Sequence, residues 1–224
     1  MNKEVEIDFL EPSLSIIISN LEEIEYELEK SSSINKDFIN LIDKFNEVEQ
    51  LSELHNLFDE LKKQAPEIKK TISKLEIEDK YETLISLYSA TLTSEFLHEN
   101  EFLFNHIEEV QKLIESKVVN DDYEIFENYK TIIIAKINEL YAKALIIFEQ
   151  QPKQDNEILK ILKIAQEETN LNDLREASKL LIGILKIIFK YDDLKSEELL
   201  ISLVKADVLI SLIDLWSEFE LEEN

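Results

Sequence analysis

A chain of 224 residues is long enough to bury a substantial core without a metal or disulfide staple, and 44% apolar with 33% charged residues is a globular mixture. One glycine, three prolines and no cysteine argue against a hairpin-rich sheet, glycine-rich nucleotide loops, EF-hand calcium loops, disulfides and thiolate chemistry. The formal net charge of −25 is spread evenly, −10, −8 and −7 over residues 1–66, 67–151 and 152–224, and Arg175 is the sole arginine. Such a field repels nucleic-acid phosphates and anionic membranes and speeds encounter with a basic protein.

The expected fold is all-α, a compact multi-helix bundle of about seven to nine helices, with an irregular helical solenoid as the alternative. The amino-terminal "MNKEVEIDFLEP" has no apolar run of the signal-peptide kind, which points to a cytoplasmic protein. Pro12 and Ser13 open a first helix to about Lys30, with Leu14, Ile17, Leu21, Ile24 and Leu28 on one stripe and glutamates on the other side. "SSS" at 31–33 is a loop and N-cap signal leading to a second helix that carries Phe38, Leu41, Ile42 and Phe45. A third pattern through Leu51, Leu54, Leu57, Phe58 and Leu61 runs to a break expected at Pro66.

Helical spacing resumes from Ile68 to about Leu97, with "EIEDK" at 76–80 as an interruption, and again through Leu103, Ile107, Val110 and Ile114. Asp121 and Glu124 form a capping box for a long helix reaching about Gln151, where Pro152 closes it. Within it, "LYAKALIIFEQQPKQDN" resembles the second helix of a tetratricopeptide over one half-repeat only, and no fixed-period repeat is legible along the chain. A helix over Asn156–Glu168, a second capping box at Asp173 and Glu176, and a last helix from Ser196 complete the pattern. Residues 1–224 form one expected domain, with subdivision near 66 or 120 as the alternative.

The stretch "KLLIGILKIIFKY", from Lys179 to Tyr191, contains the only glycine, Gly183. Its unbroken apolar run, Leu180 to Leu185, falls far short of the roughly 20 residues that span a bilayer. On a helical wheel five of seven positions are apolar, so this helix is expected at the centre of the bundle, with Ile184 deep in its core.

Little chemistry is legible. Glu95 and His98 make one Glu-x-x-His element, half of what a di-iron bundle uses. His106 lies eight residues further on, with Glu99 and Glu109 near it. No metal, cofactor or catalytic residue is therefore expected. The reading is a non-enzymatic acidic helical module that binds a basic or nucleic-acid-handling protein, as an inhibitor, immunity protein or antitoxin does. Two surfaces are candidates for that partner. One is Glu22, Glu25 and Glu29, aligned on the polar side of the first helix; the other is Leu212, Leu215, Trp216 and Phe219 on the last. A self-associating scaffold, a homo-oligomer joined by apolar helix faces, is the first alternative and a di-metal bundle enzyme the second.

Overall fold

The computed structural model describes residues 11–31, 35–48, 51–99, 122–151, 155–192 and 197–221. These form eight helices and no strands, and are 90% helical. The helices are α1 (Glu11–Lys30), α2 (Lys36–Glu47), α3 (Leu51–Ile72), α4 (Ile77–Glu99), α5 (Asp122–Glu149), α6 (Asn156–Ala165), α7 (Leu171–Asp192) and α8 (Glu197–Leu221). The Leu103–Ile114 stripe, Asp121 of the first capping box and Pro152 lie outside the described residues.

Local rules account for the elements. Leu14, Ile17, Leu21, Ile24 and Leu28 of α1 are all buried, as are Phe38, Leu41, Ile42 and Phe45 of α2. Spacings of three and four hold each set on one face. Asn35 Oδ1 caps α2 by accepting from the Asp37 backbone N–H at 3.0 Å. Asp155 does the same for α6, accepting from Glu157 at 2.7 Å.

Three expected boundaries move, the first being the end of α6, at Ala165 and not Glu168. α3 runs through Pro66 to Ile72 and the chain turns at Ser73–Glu76 instead. A proline ring in a helix interior costs about 3 kcal/mol, but Ile68 and Ile72 beyond it are buried, and continuing the helix is what seats them. α7 starts at Leu171, capped by Asn170, whose Oδ1 accepts from the Asn172 N–H at 2.9 Å. Asp173 therefore sits inside the first turn rather than at the cap.

The helices pack as two rings. In the first, α1 packs on α2, α2 on α3, α3 on α4 and α4 back on α1; in the second, α5, α6, α7 and α8 close in the same order. The rings meet where α8 packs against α4 and α1, and α7 against α4. They also repeat in register. α2 and α6 start at 36 and 156, α3 and α7 at 51 and 171, α4 and α8 at 77 and 197, a shift of 120 each time.

Burial follows the same shift. Ile133, Ile137, Tyr141, Ala144 and Phe148 of α5 stand where Ser13, Ile17, Leu21, Ile24 and Leu28 stand in α1, and all ten are buried. Ile158, Leu162 and Ala165 match Phe38, Ile42 and Phe45; Leu174, Ser178 and Leu181 match Leu54, Phe58 and Leu61; these too are all buried. We call residues 11–99 unit one and 122–221 unit two.

This topology corrects the expected centre. Among the described side chains of α7, Leu174, Ser178 and Leu181 are buried, but Leu180 is 54% exposed, Gly183 is exposed and Ile184 only half-buried; the side chains of Leu185, Ile187, Ile188, Phe189 and Tyr191 lie outside the described residues. The central helices are α4 and α8, which join the units. On α8, Leu199, Leu200, Leu203, Val204, Ala206, Val208, Leu209, Ile210, Leu212 and Ile213 are buried. A wheel counts apolar side chains, not the neighbours available to cover them: α7 is flanked within its ring by the ten-residue α6 on one side and by α8 on the other. No helix among the described residues is long and apolar enough to cross a membrane.

Candidate partner-binding surface

The acidic stripe foreseen on α1 is present and is part of something larger. Glu22 and Glu29 are exposed and Glu25 half-buried. Burial raises the Glu25 carboxyl above its ordinary range, and the charges of Glu29, Asp43 and Glu22 push it further. Asp43 belongs to α2, so the stripe continues onto the next helix. There it meets a groove of about 860 Å³ between α2 and α3. Leu28, Phe38 and Ile68 provide its apolar lining, while Asp37, Asp43, Glu47, Glu60 and Glu67 outnumber Lys44 and Lys63 among its charged residues. One ion pair spans it, Lys44 Nζ to Glu60 Oε2 at 2.9 Å.

The same positions of unit two have another character. Lys44 and Glu60 become Ile164 and Leu180, 55% and 54% exposed, and Asp43 becomes Lys163. Lys63 becomes Gly183, where a Cβ would meet nothing within 4 Å. No neighbouring backbone crosses this glycine within the described chain.

The carboxyl-terminal candidate divides. Leu212 is fully buried, which places it in the chain's own core and not on a free surface. The side chains of Leu215, Trp216 and Phe219 lie outside the described residues.

Two polar arrangements escape sequence reasoning because their members are far apart in the chain. In unit two, Ser178 Oγ donates to Asp207 Oδ1 at 2.6 Å, beside the fully buried Tyr141. Burial raises the Asp207 carboxyl, with the Ser178 hydrogen bond and the charges of Lys179 and Lys186 opposing. Burial also pushes the Tyr141 hydroxyl up. In unit one, His55 of α3 meets His98 of α4, Nδ1 to Nδ1 3.3 Å, both rings edge-on to Phe58. Helical spacing had paired His98 with His106, which lies outside the described residues. Among the described residues, no group of three or more His, Asp or Glu is gathered as a metal site.

A latch joins the units. Glu197, in the first turn of α8, pairs with Lys69 of α3 and accepts from the Tyr88 hydroxyl of α4 at 2.6 Å. The Lys69 hydrogen bond, and then that of Tyr88, hold the Glu197 carboxyl below its ordinary range.

Compared with protein-family models, curated proteins and solved structures, the chain matches none.

Proposed function

We propose that the protein is an acidic helical module that binds a basic protein partner through the α1–α2–α3 surface of unit one. The supporting observation is the crowding of carboxylates around Glu25, continuous through Asp43 with the acidic groove. Carboxylates forced together raise one another's energy, and an incoming cationic surface relieves that repulsion. An inhibitor, immunity protein or antitoxin acting on a nucleic-acid-handling protein fits this chemistry, because the partner's phosphate-reading surface is basic.

The test begins with capture of partners from the native cell at low and high salt. The association rate of the captured protein is then measured against the parent and the triple variant Glu22→Gln, Glu25→Gln, Glu29→Gln. Slower association at low salt, converging with the parent as salt screens the field, is the expected result. Equal rates at every salt concentration would remove the acidic surface from the account.

A second reading, self-association as a scaffold, has its own support in unit two. Ile164 and Leu180 are exposed where unit one has its Lys44–Glu60 pair. Sedimentation over a concentration series, with Leu180→Lys as the variant, separates the two readings.

A further inference from the structure

The His55–His98 pair has a geometry that neither helix packing nor the acidic surface requires. The rings come from opposite ends of a helical hairpin: His55 lies near the start of α3 and His98 in the last turn of α4, with the turn at Ser73–Glu76 at the far end. Their Nδ1 atoms are 3.3 Å apart, the ring centroids 5.0 Å apart, and the planes nearly perpendicular at 89°. An N–H···N hydrogen bond favours a shorter separation, about 2.9–3.0 Å. Two imidazole nitrogens bound at about 2.0–2.1 Å to one tetrahedral ion lie about 3.3 Å apart, with ring centroids about 5.2 Å apart. The observed pair fits the second arrangement as well as it fits a long hydrogen bond between the rings.

We infer that His55 and His98 form a site for a borderline divalent transition-metal ion, Zn²⁺ foremost, that braces the open end of the α3–α4 hairpin. Imidazole nitrogens select such ions over Ca²⁺ and Mg²⁺, which take oxygen ligands. Phe58 lies edge-on to both rings, 6.4 Å from His55 and 6.5 Å from His98 between centroids, so the pair is held in place before any ion arrives. His98 is exposed and gives the ion its route in, and the charge of −25 concentrates cations around the chain. Among the described residues these two imidazoles are the protein ligands, and the remaining positions of the ion go to water or to further donors. The site belongs to unit one alone, since the positions 120 residues on are Arg175 and Glu218.

The experiment uses the full chain, freed of metal by chelation and melted under rising ZnCl₂, with MgCl₂ as the comparison ion. Zinc is expected to raise Tm by several degrees with one ion bound per chain, and magnesium to leave it unchanged. His55→Ala and His98→Ala should each abolish the zinc shift, whereas Glu22→Gln, Glu25→Gln, Glu29→Gln should keep it. Should His55→Ala fold poorly, the exposed His98→Ala decides alone, and Co²⁺ absorption in the parent reports ligation directly. The inference is overturned if zinc leaves Tm unchanged, or if the shift survives in His98→Ala, which would assign the binding to surface carboxylates.

Discussion

Units one and two have the same helix order and the same ring of packed neighbours, yet they bury polar groups at different places: Thr83, Ser86 and Thr93 of unit one are matched by Leu203, Ala206 and Ile213, and a polar cluster stands elsewhere in unit two. Where unit one has Leu21, Phe58 and Leu87, unit two has Tyr141, Ser178 and Asp207. The larger Tyr141 stands against the smaller Ser178, and the carboxylate of Asp207 is then held by the Ser178 hydroxyl. Unit one shows that apolar side chains serve at these three positions, so the polar cluster of unit two is an addition there and not a requirement. Buried polar groups of this kind frequently stabilise no better than apolar residues of similar volume. The surfaces diverge at matching places too, with an ion-paired acidic groove on one unit and exposed Ile164 and Leu180 on the other.

The largest expected effect tests where the centre lies. Leu203→Asp puts a charge on α8 at a fully enclosed position and should cost about 3 kcal/mol or more. Ile184→Asp, on the half-buried side of α7, should cost about 1–2 kcal/mol. Urea unfolding of both variants checks the ranking, and the reverse order would restore α7 to the centre.

Two carboxylates should respond to pH with opposite sign. Asp207 has a raised pKa, so the folded state holds its proton to higher pH than the unfolded state does. Stability from this group is present at low pH and is lost as pH rises through the folded value. Asp207→Asn should therefore be more stable than the parent at neutral pH, the gap closing as pH falls through the raised folded value toward the unfolded carboxyl's value of about 3.9. Glu197 has a lowered pKa, so its contribution is present at neutral pH and lost as pH falls through the folded value. Glu197→Gln should be less stable at neutral pH by about 1 kcal/mol or less, since the pair is half-exposed, and should match the parent in acid. Thermal melts across the acidic range measure both.

The smallest effect concerns the acidic surface. Glu25→Gln relieves repulsion from Glu29, Asp43 and Glu22 and should raise stability by a few tenths of a kcal/mol. A loss of stability would show that the stripe supports the fold.

Element type was legible because apolar spacing is a local property. The stripes of α1 and α2 are buried residue for residue, and Asp155, directly before α6, caps that helix. What escaped depends on distant neighbours. Pro66 sits inside α3 because Ile68 and Ile72 have core to reach, and α7 is peripheral because of what packs beside it. The repeat escaped because matched positions keep burial without keeping identity: Leu54 and Leu174 agree, but Phe58 is matched by Ser178 and Lys44 by Ile164. Of the candidate surface, Glu22, Glu25 and Glu29 were readable on one helix. The groove beyond them, and the meeting of His55 with His98, require α2, α3 and α4 to be placed.

The central claim is that the two units are the same ring, shifted by 120 residues. The chain has no native cysteine, so spin labels attached to introduced cysteines report on those positions alone. Labels at Glu29 and Glu53 span α1 and α3 of unit one, and labels at Glu149 and Asp173 span the matching helices of unit two; all four positions are exposed. Dipolar distance measurement on the two doubly labelled chains should return coincident distributions. Means separated by more than one helical turn, about 5 Å, would contradict the equivalence of the units.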